Sequence, residues 1–162
     1  MEIVYKPIGI IRTPYKDKAP YQPITSEKGV FKIVLDKKYE ESLQGLEEFE
    51  YIYLLYHLNM IHDRPKNLVT PPWAKNKRVG LFASRSPNRP NPIGLSVVKL
   101  RGITKNILYT SGIDVFDNTP LLDIKPYIKE LDSKYDSNYG WLQNQKDYEH
   151  LLLHIKGIPH DY

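Results

Sequence analysis

The segment from Phe82 to Gly94, FASRSPNRPNPIG, places two arginines, two asparagines, two serines and three prolines in a stretch of thirteen residues. Pro87, Pro90 and Pro92 fix φ and reduce the freedom of the unfolded chain, so the loop is built to hold a shape. Arg85 and Arg89 are then held in place, and a fixed guanidinium suits bidentate recognition of a carboxylate or phosphate. The competing reading is a stiff turn whose arginines cap carbonyls or pair with surface acids. Residue type alone weighs the two evenly.

A second segment, Ser111 to Tyr127, reads SGIDVFDNTPLLDIKPY. Asp114 and Asp117 flank Phe116, and paired carboxylates suit ribose hydroxyls or a cationic substrate. Asn118 falls in a tight turn where a left-handed conformation is tolerable for Asn. A plain hairpin turn is the commoner fate of Asp117-Asn118-Thr119-Pro120. In Pro20-Tyr21-Gln22, the Gln amide is able to read the hydrogen-bonding edge of a base. A metal site finds little support: His57, His62 and Asp63 lie close in sequence and His150 and His154 have helical spacing, yet neither set supplies enough ligands for zinc. The absence of cysteine excludes thiolate chemistry and disulfides.

These loops need a scaffold. At 162 residues the chain is long enough for one compact domain with a real core. Strand-like alternation occurs at Ile3 to Ile11, Gly29 to Leu35, Arg78 to Ala83, Ile93 to Leu100, Leu108 to Val115 and Leu121 to Tyr127. Phe49 to Leu58, FEYIYLLYHL, is so continuously apolar that both of its faces are expected to be covered. Asp36 is placed to cap a short helix toward Leu43, closed by Gly45. With few helices long enough for crossovers, the fold class is mainly β: an antiparallel barrel of about seven strands with short helices. Residues 1–129 form this barrel and residues 130–162 a tail. In the tail, Tyr148, Leu151, Leu152 and Ile155 mark an amphipathic helix between Asn144 and Gly157, expected to pack on the barrel or on a partner subunit.

Charge is unevenly spread. Arg64 to Ile113 contains no acid but ten basic residues, including Lys75, Lys77 and Arg78, whereas Asp36 to Glu50 is acidic. The molecule is expected to be electrically polarised, with a basic half suited to nucleic acid. No stretch approaches the ~20 apolar residues that span a bilayer, and the N-terminus lacks a signal-peptide pattern. A cytoplasmic location without membrane contact is the expectation.

The loop FASRSPNRPNPIGLSVVKL, followed by SGIDVFDNTPLLDIKPY, closely resembles the TsaA-like (TrmO) family, with similarity running from PIGIIRTPY at Pro7 through Tyr127. The resemblance implies a barrel that binds S-adenosylmethionine and completes its site across a homodimer interface. It also implies methylation of N6 of N6-threonylcarbamoyladenosine at position 37 of tRNA. Matched by motif, the implied cofactor contacts are Pro20, Tyr21, Gln22, His57, Leu58, Arg85, Leu95, Asp114, Val115, Phe116 and Asp117. Asp117 and Tyr127 are candidate bases, and Asn91 is an orienting group. Arg89, Lys75, Lys77 and Arg78 are candidates for RNA phosphates. Tyr21, Asn88 and Asn118 stand where many members have Arg, an aromatic and Gly, and the tail lacks the extra C-terminal domain of longer members. The alternatives are a module that binds S-adenosylmethionine or RNA without methyl transfer, and a methyltransferase with a different acceptor.

Overall fold

The computed structural model of the chain describes residues 2–20, 29–63, 65–71, 74, 77–144, 152–153 and 158. Six strands close on themselves: β1 (Gly9–Arg12), β2 (Phe31–Leu35), β3 (Tyr51–His57), β6 (Ile93–Thr104), β7 (Ile107–Thr110) and β8 (Thr119–Pro126). Their order around the barrel is β1-β2-β7-β6-β3-β8, and every neighbouring pair is antiparallel. A separate ribbon pairs β4 (Leu68–Val69) with β5 (Val79–Gly80).

Alternation explains the core. Ile11, Ile33, Ile52, Leu54, Leu108 and Leu121 are completely buried, while their strand neighbours point outward. Each such side chain contributes about 1.5–3 kcal/mol of burial free energy.

The strand count differs from expectation in an instructive way. The Arg78–Ala83 stretch does not join the barrel. Only Val79 and Gly80 pair, and Leu81–Ala83 forms a 3-10 turn closed by the Ser84 N–H and hydroxyl, both donating to the Leu81 carbonyl. β1 begins at Gly9, not Ile3, because Pro7 lacks the N–H that a ladder needs. The expected helix after Asp36 is instead a series of 3-10 turns at Lys37–Tyr39, Glu41–Leu43 and Leu46–Glu48. Gly45 between them takes the left-handed φ of 83°. The two-face coverage expected for β3 is not met within one chain. Ile52, Leu54 and Tyr56 face inward, but Tyr51 is 45% exposed and His57 is exposed on the outer wall.

Strand direction sorts the loops into two groups. β1, β3 and β7 end, and β2, β6 and β8 begin, at the same end of the barrel, which therefore carries every loop singled out above. The acidic segment 36–50 lies at the opposite end. Residues 111–118 leave β7 and cross the loop-bearing end, with Ile113 and Val115 buried in the core at 1% and 4% exposure. The tail reaches this region as well: the Trp141 indole Nε1 donates to the Ala83 carbonyl at 2.7 Å. Most of the helix expected after Asn144 lies outside the described residues. No helix among the described residues is long and apolar enough to cross a membrane.

Candidate functional site

Asp114 lies between Ile113 and Val115, both anchored in the core. The Thr13 hydroxyl fixes this segment by donating to the Val115 carbonyl at 2.8 Å. The Asp114 carboxyl is consequently drawn inward, and its Oδ1 is buried without a hydrogen-bond partner among the described residues. Burial pushes its pKa up, against the opposing pull of its own backbone N–H and of the Arg85 guanidinium. An orphaned buried carboxylate oxygen is costly, about 1–3 kcal/mol, so a site that keeps one is poised to receive a donor.

Tyr56 lies beneath. Its hydroxyl is 2.9 Å from the Ser96 Oγ. Burial, and secondarily the Asp114 charge, pushes its pKa up to about 12, with the Ser96 hydrogen bond and Arg85 opposing. The ring fits only because residue 94 is glycine: a Cβ there would come within 2.0 Å of the Tyr56 ring. Asp114, Tyr56, Ser96 and Arg85 thus form one electrostatic unit at the loop-bearing end of the barrel.

Asp117 has a different environment. Arg12 Nε donates to its Oδ1 at 2.7 Å and Arg12 Nη2 to its Oδ2 at 3.1 Å, while the Thr13 N–H donates to Oδ1 at 3.1 Å. Desolvation alone would raise its pKa, but the Arg12 fork, with the backbone N–H groups of Thr13 and Asn118, carries it below the ordinary value. Asn118 takes the left-handed φ of 65° expected of it.

The proline-rich loop binds itself. Arg89 donates to the carbonyls of Ser84 at 3.0 Å and Ser86 at 3.5 Å, and its guanidinium lies 5.6 Å from the Phe82 ring centre. Its donors are therefore engaged in shaping the loop, the carbonyl-capping alternative left open by residue type. Arg85 is exposed and has no such carbonyl contacts among the described residues. The Leu58 N–H donates to the Pro92 carbonyl at 2.8 Å, pinning the loop to the end of β3. Asn91 is exposed in the same loop, and Lys77 and Arg78 are exposed just before β5.

The remaining candidates divide between two surfaces. Pro20 follows β1 and is half-buried, and Phe116 and Val115 belong to the segment crossing the barrel end. His57 and Leu95 are on the outer wall, where His57 pairs with Ile93 and Leu95 with Leu55. Tyr21, Gln22 and Lys75 lie outside the described residues. Tyr127 requires a correction: it pairs with the Tyr51 carbonyl and packs its ring 5.5 Å from Tyr53 at the far end of the barrel. The six steps of β3 from Tyr51 to His57 separate it from the site by roughly 20 Å at 3.3 Å per residue. Within one chain Tyr127 cannot act on a group held by Asp114.

Sequence reasoning missed Arg12, Tyr56, Ser96 and Trp141. For Tyr56 a signal existed, since period-two alternation through Ile52 and Leu54 directs it inward. Arg12 gave none, because its partner is 105 residues away.

Comparison with known proteins bears on this arrangement. The profile described as the tRNA-methyltransferase O N-terminal domain matches residues 10–133, which include Asp114, Arg85 and all six barrel strands but for Gly9. The chain belongs to this family. A Pyrococcus abyssi relative, named as a probable S-adenosyl-L-methionine-binding protein, is 40% identical over 143 residues, covering 87% of this chain and 77% of its own length. The tRNA (adenine(37)-N6)-methyltransferase of Escherichia coli is 34% identical over 150 residues, covering 86% of this chain and 64% of its own. A crystal structure of TrmO superposes with a TM-score of 0.72 at 34% identity, over 86% of this chain and 64% of that one. The chain thus spans slightly less than two thirds of the Escherichia coli enzyme and of the solved TrmO structure.

Proposed function

We propose that this TrmO-family chain is an S-adenosylmethionine-dependent methyltransferase acting on N6 of N6-threonylcarbamoyladenosine at position 37 of tRNA, in the cytoplasm. The observation that carries the reading is the buried, unpartnered Asp114 Oδ1 beside Arg85, at the end of the barrel to which all the candidate loops converge. The donor set fits the cofactor. Asp114 accepts hydroxyl hydrogens of the ribose, and Arg85 pairs with the methionine carboxylate. Pro20, Leu58 and Phe116 supply the walls, and the family resemblance adds Tyr21, Gln22 and Val115 as cofactor contacts.

S-adenosylmethionine, when bound, supplies a methyl group already attached to a sulfonium leaving group. Positioning is then the chief task of the protein, and it is able to provide roughly 7–11 kcal/mol of the barrier reduction. Asn91 orients the acceptor from the exposed loop. The acceptor nitrogen loses its proton as the new bond forms. Arg12 holds Asp117 too acidic to take that proton well, so Asp117 serves by fixing the loop and the proton passes to solvent. Lys75, Lys77 and Arg78 hold RNA phosphates, with Arg89 shaping the loop beside them.

The protein works as a homodimer in this reading. Ile93, Leu95 and Val97 form an outward row exposed by 40%, 56% and 45%, next to Leu55 and Tyr53 of β3. A second copy seated on this row covers the apolar wall and brings His57 and Leu95 of one chain against the site of the other.

Isothermal titration with S-adenosylmethionine tests the cofactor site, using wild type and Arg85→Ala. Saturable binding weakened at least tenfold in the variant is expected. A methyl-transfer assay on tRNA bearing the modified adenosine tests the reaction. Absence of binding by wild type refutes the methyltransferase reading, and binding without transfer leaves a different acceptor or a binding module.

A further inference from the structure

The outer wall of the barrel is divided. Running from the side across from the apolar β3–β6 wall toward β6, the cross-strand register places Arg12 of β1, Lys32 of β2 and Tyr109 of β7 side by side. Their strand neighbours Ile11, Ile33 and Leu108 are fully buried, so all three side chains point outward. Tyr109 is 39% exposed. It pairs with Gly102 across a register shift in β6 that sets the exposed Arg101 at its flank. At about 4.8 Å between strands, the row from Arg12 to Tyr109 spans about 10 Å.

Each member has a distinct character. Arg12 is held by two hydrogen bonds donated to Asp117, yet its side chain remains 42% exposed to solvent. Lys32 makes no ion pair among the described residues, and it borders, with Arg12, Pro14 and Val30, a recess of about 320 Å³. The order is thus planar cation, point cation, aromatic ring, then a second guanidinium. Unpaired bases stack on aromatic rings and on arginine planes, while lysines track phosphates. The acidic segment 36–50 lies at the other end of the barrel, and Asp117, the carboxylate beside the row, is paired with Arg12. Charge therefore favours a polyanion along this flank and disfavours it beyond.

We propose that the Arg12–Lys32–Tyr109–Arg101 row is a track for single-stranded RNA, over which nucleotides flanking the acceptor base run as they leave the loop-bearing end of the barrel. The inference rests on the methyltransferase reading and adds the face that grips the RNA. Arg12 and Tyr109 stack with bases, and Lys32 and Arg101 contact phosphates. The apolar row Ile93, Leu95 and Val97 stays free for a second copy, because β1 and β2 lie across the barrel from β6 and β3 and Arg101 lies beyond Val97 along β6.

The test is fluorescence anisotropy with a fluorescein-labelled tRNA anticodon stem-loop over a series of KCl concentrations, with S-adenosylmethionine binding measured calorimetrically on every variant. Lys32→Ala is expected to weaken binding and to reduce the slope of log affinity against log salt by about 0.7–0.9. Tyr109→Thr is expected to weaken binding about five- to a hundredfold. Tyr109→Phe, which keeps the ring, is expected to bind as wild type does. All three variants retain wild-type affinity for S-adenosylmethionine. If Lys32→Ala and Tyr109→Thr bind the stem-loop with unchanged affinity and salt slope, the track is refuted. A wild type that binds S-adenosylmethionine but not the stem-loop also overturns it, while the cofactor site survives. A wild type that binds neither overturns both readings.

Discussion

Asp114→Asn separates the demands of folding from those of binding. In the free protein the carboxyl group is buried and short of a donor at Oδ1. Because burial raises its pKa in the folded state, the linked stability is fully present below the unfolded value near 4 and is lost as pH rises through the folded value. At neutral pH the native state therefore carries a penalty that a neutral amide removes. An unsatisfied charged oxygen costs about 1–3 kcal/mol, and losing the attraction of Arg85 offsets part of the gain, which leaves about 1 kcal/mol of net stabilisation. For a chain of this length that raises Tm by about 2–4 °C. Differential scanning fluorimetry at pH 7.5, with and without S-adenosylmethionine, reads both effects. The variant is expected to melt higher than wild type without the cofactor and to lose most of the cofactor-induced rise. At pH 3.5 the difference between the free proteins disappears. A variant that melts lower than wild type at pH 7.5, yet keeps the full cofactor response, would refute the assignment of Asp114 as a strained ligand group.

Three other outcomes follow from the same geometry. Arg12→Met strands the mostly buried Asp117 carboxylate and lowers stability by about 1–2 kcal/mol in urea titration at pH 7, a figure kept small because Arg12 is partly solvated. Since the folded pKa of Asp117 is depressed, this loss is present above pH 4 and fades as pH falls through the folded value. Gly94→Ala drives a Cβ into the Tyr56 ring, costs about 1–3 kcal/mol by thermal melting and weakens cofactor binding by displacing Tyr56 beneath Asp114. Leu95→Asp, placed in the middle of the exposed apolar row, shifts the sedimentation coefficient from dimer to monomer while the circular dichroism spectrum stays that of wild type.

Period-two alternation made most of the barrel legible in advance, since it depends only on which side of a strand a residue occupies. The turn at Asn118 was legible for a similarly local reason. What alternation does not carry is which strands adjoin and how far apart two neighbouring motifs end up. Tyr127 illustrates this: ten residues beyond Asp117 in the chain, it is a barrel length away because β8 runs straight off from the site. Arg12 and Asp117 show the converse, a close pair with 105 residues between them. The Arg78–Ala83 stretch had the composition of a strand, but Gly80 and the Ser84 turn divert it out of the barrel. For β3, continuous apolarity signalled coverage on both faces, and among the described residues the inner face is fully covered while the outer face, with Tyr53 against Tyr127, is covered only in part. Its exposed outer row is the face that the proposed second copy would cover.

Barrel closure restricts how the second copy proposed above would attach. In the six-stranded cylinder each strand has neighbours on both sides, so the barrel wall, unlike the short β4–β5 ribbon, offers no open ladder onto which another chain could add as an extra strand. In the proposed dimer, two molecules would then recognise one another through the shapes of side chains such as Leu95 and Val97 and not through the indiscriminate hydrogen bonding of a free barrel edge. The same closure that shelters the core would thus make such an association selective, and would guard an exposed aliphatic wall against runaway polymerisation.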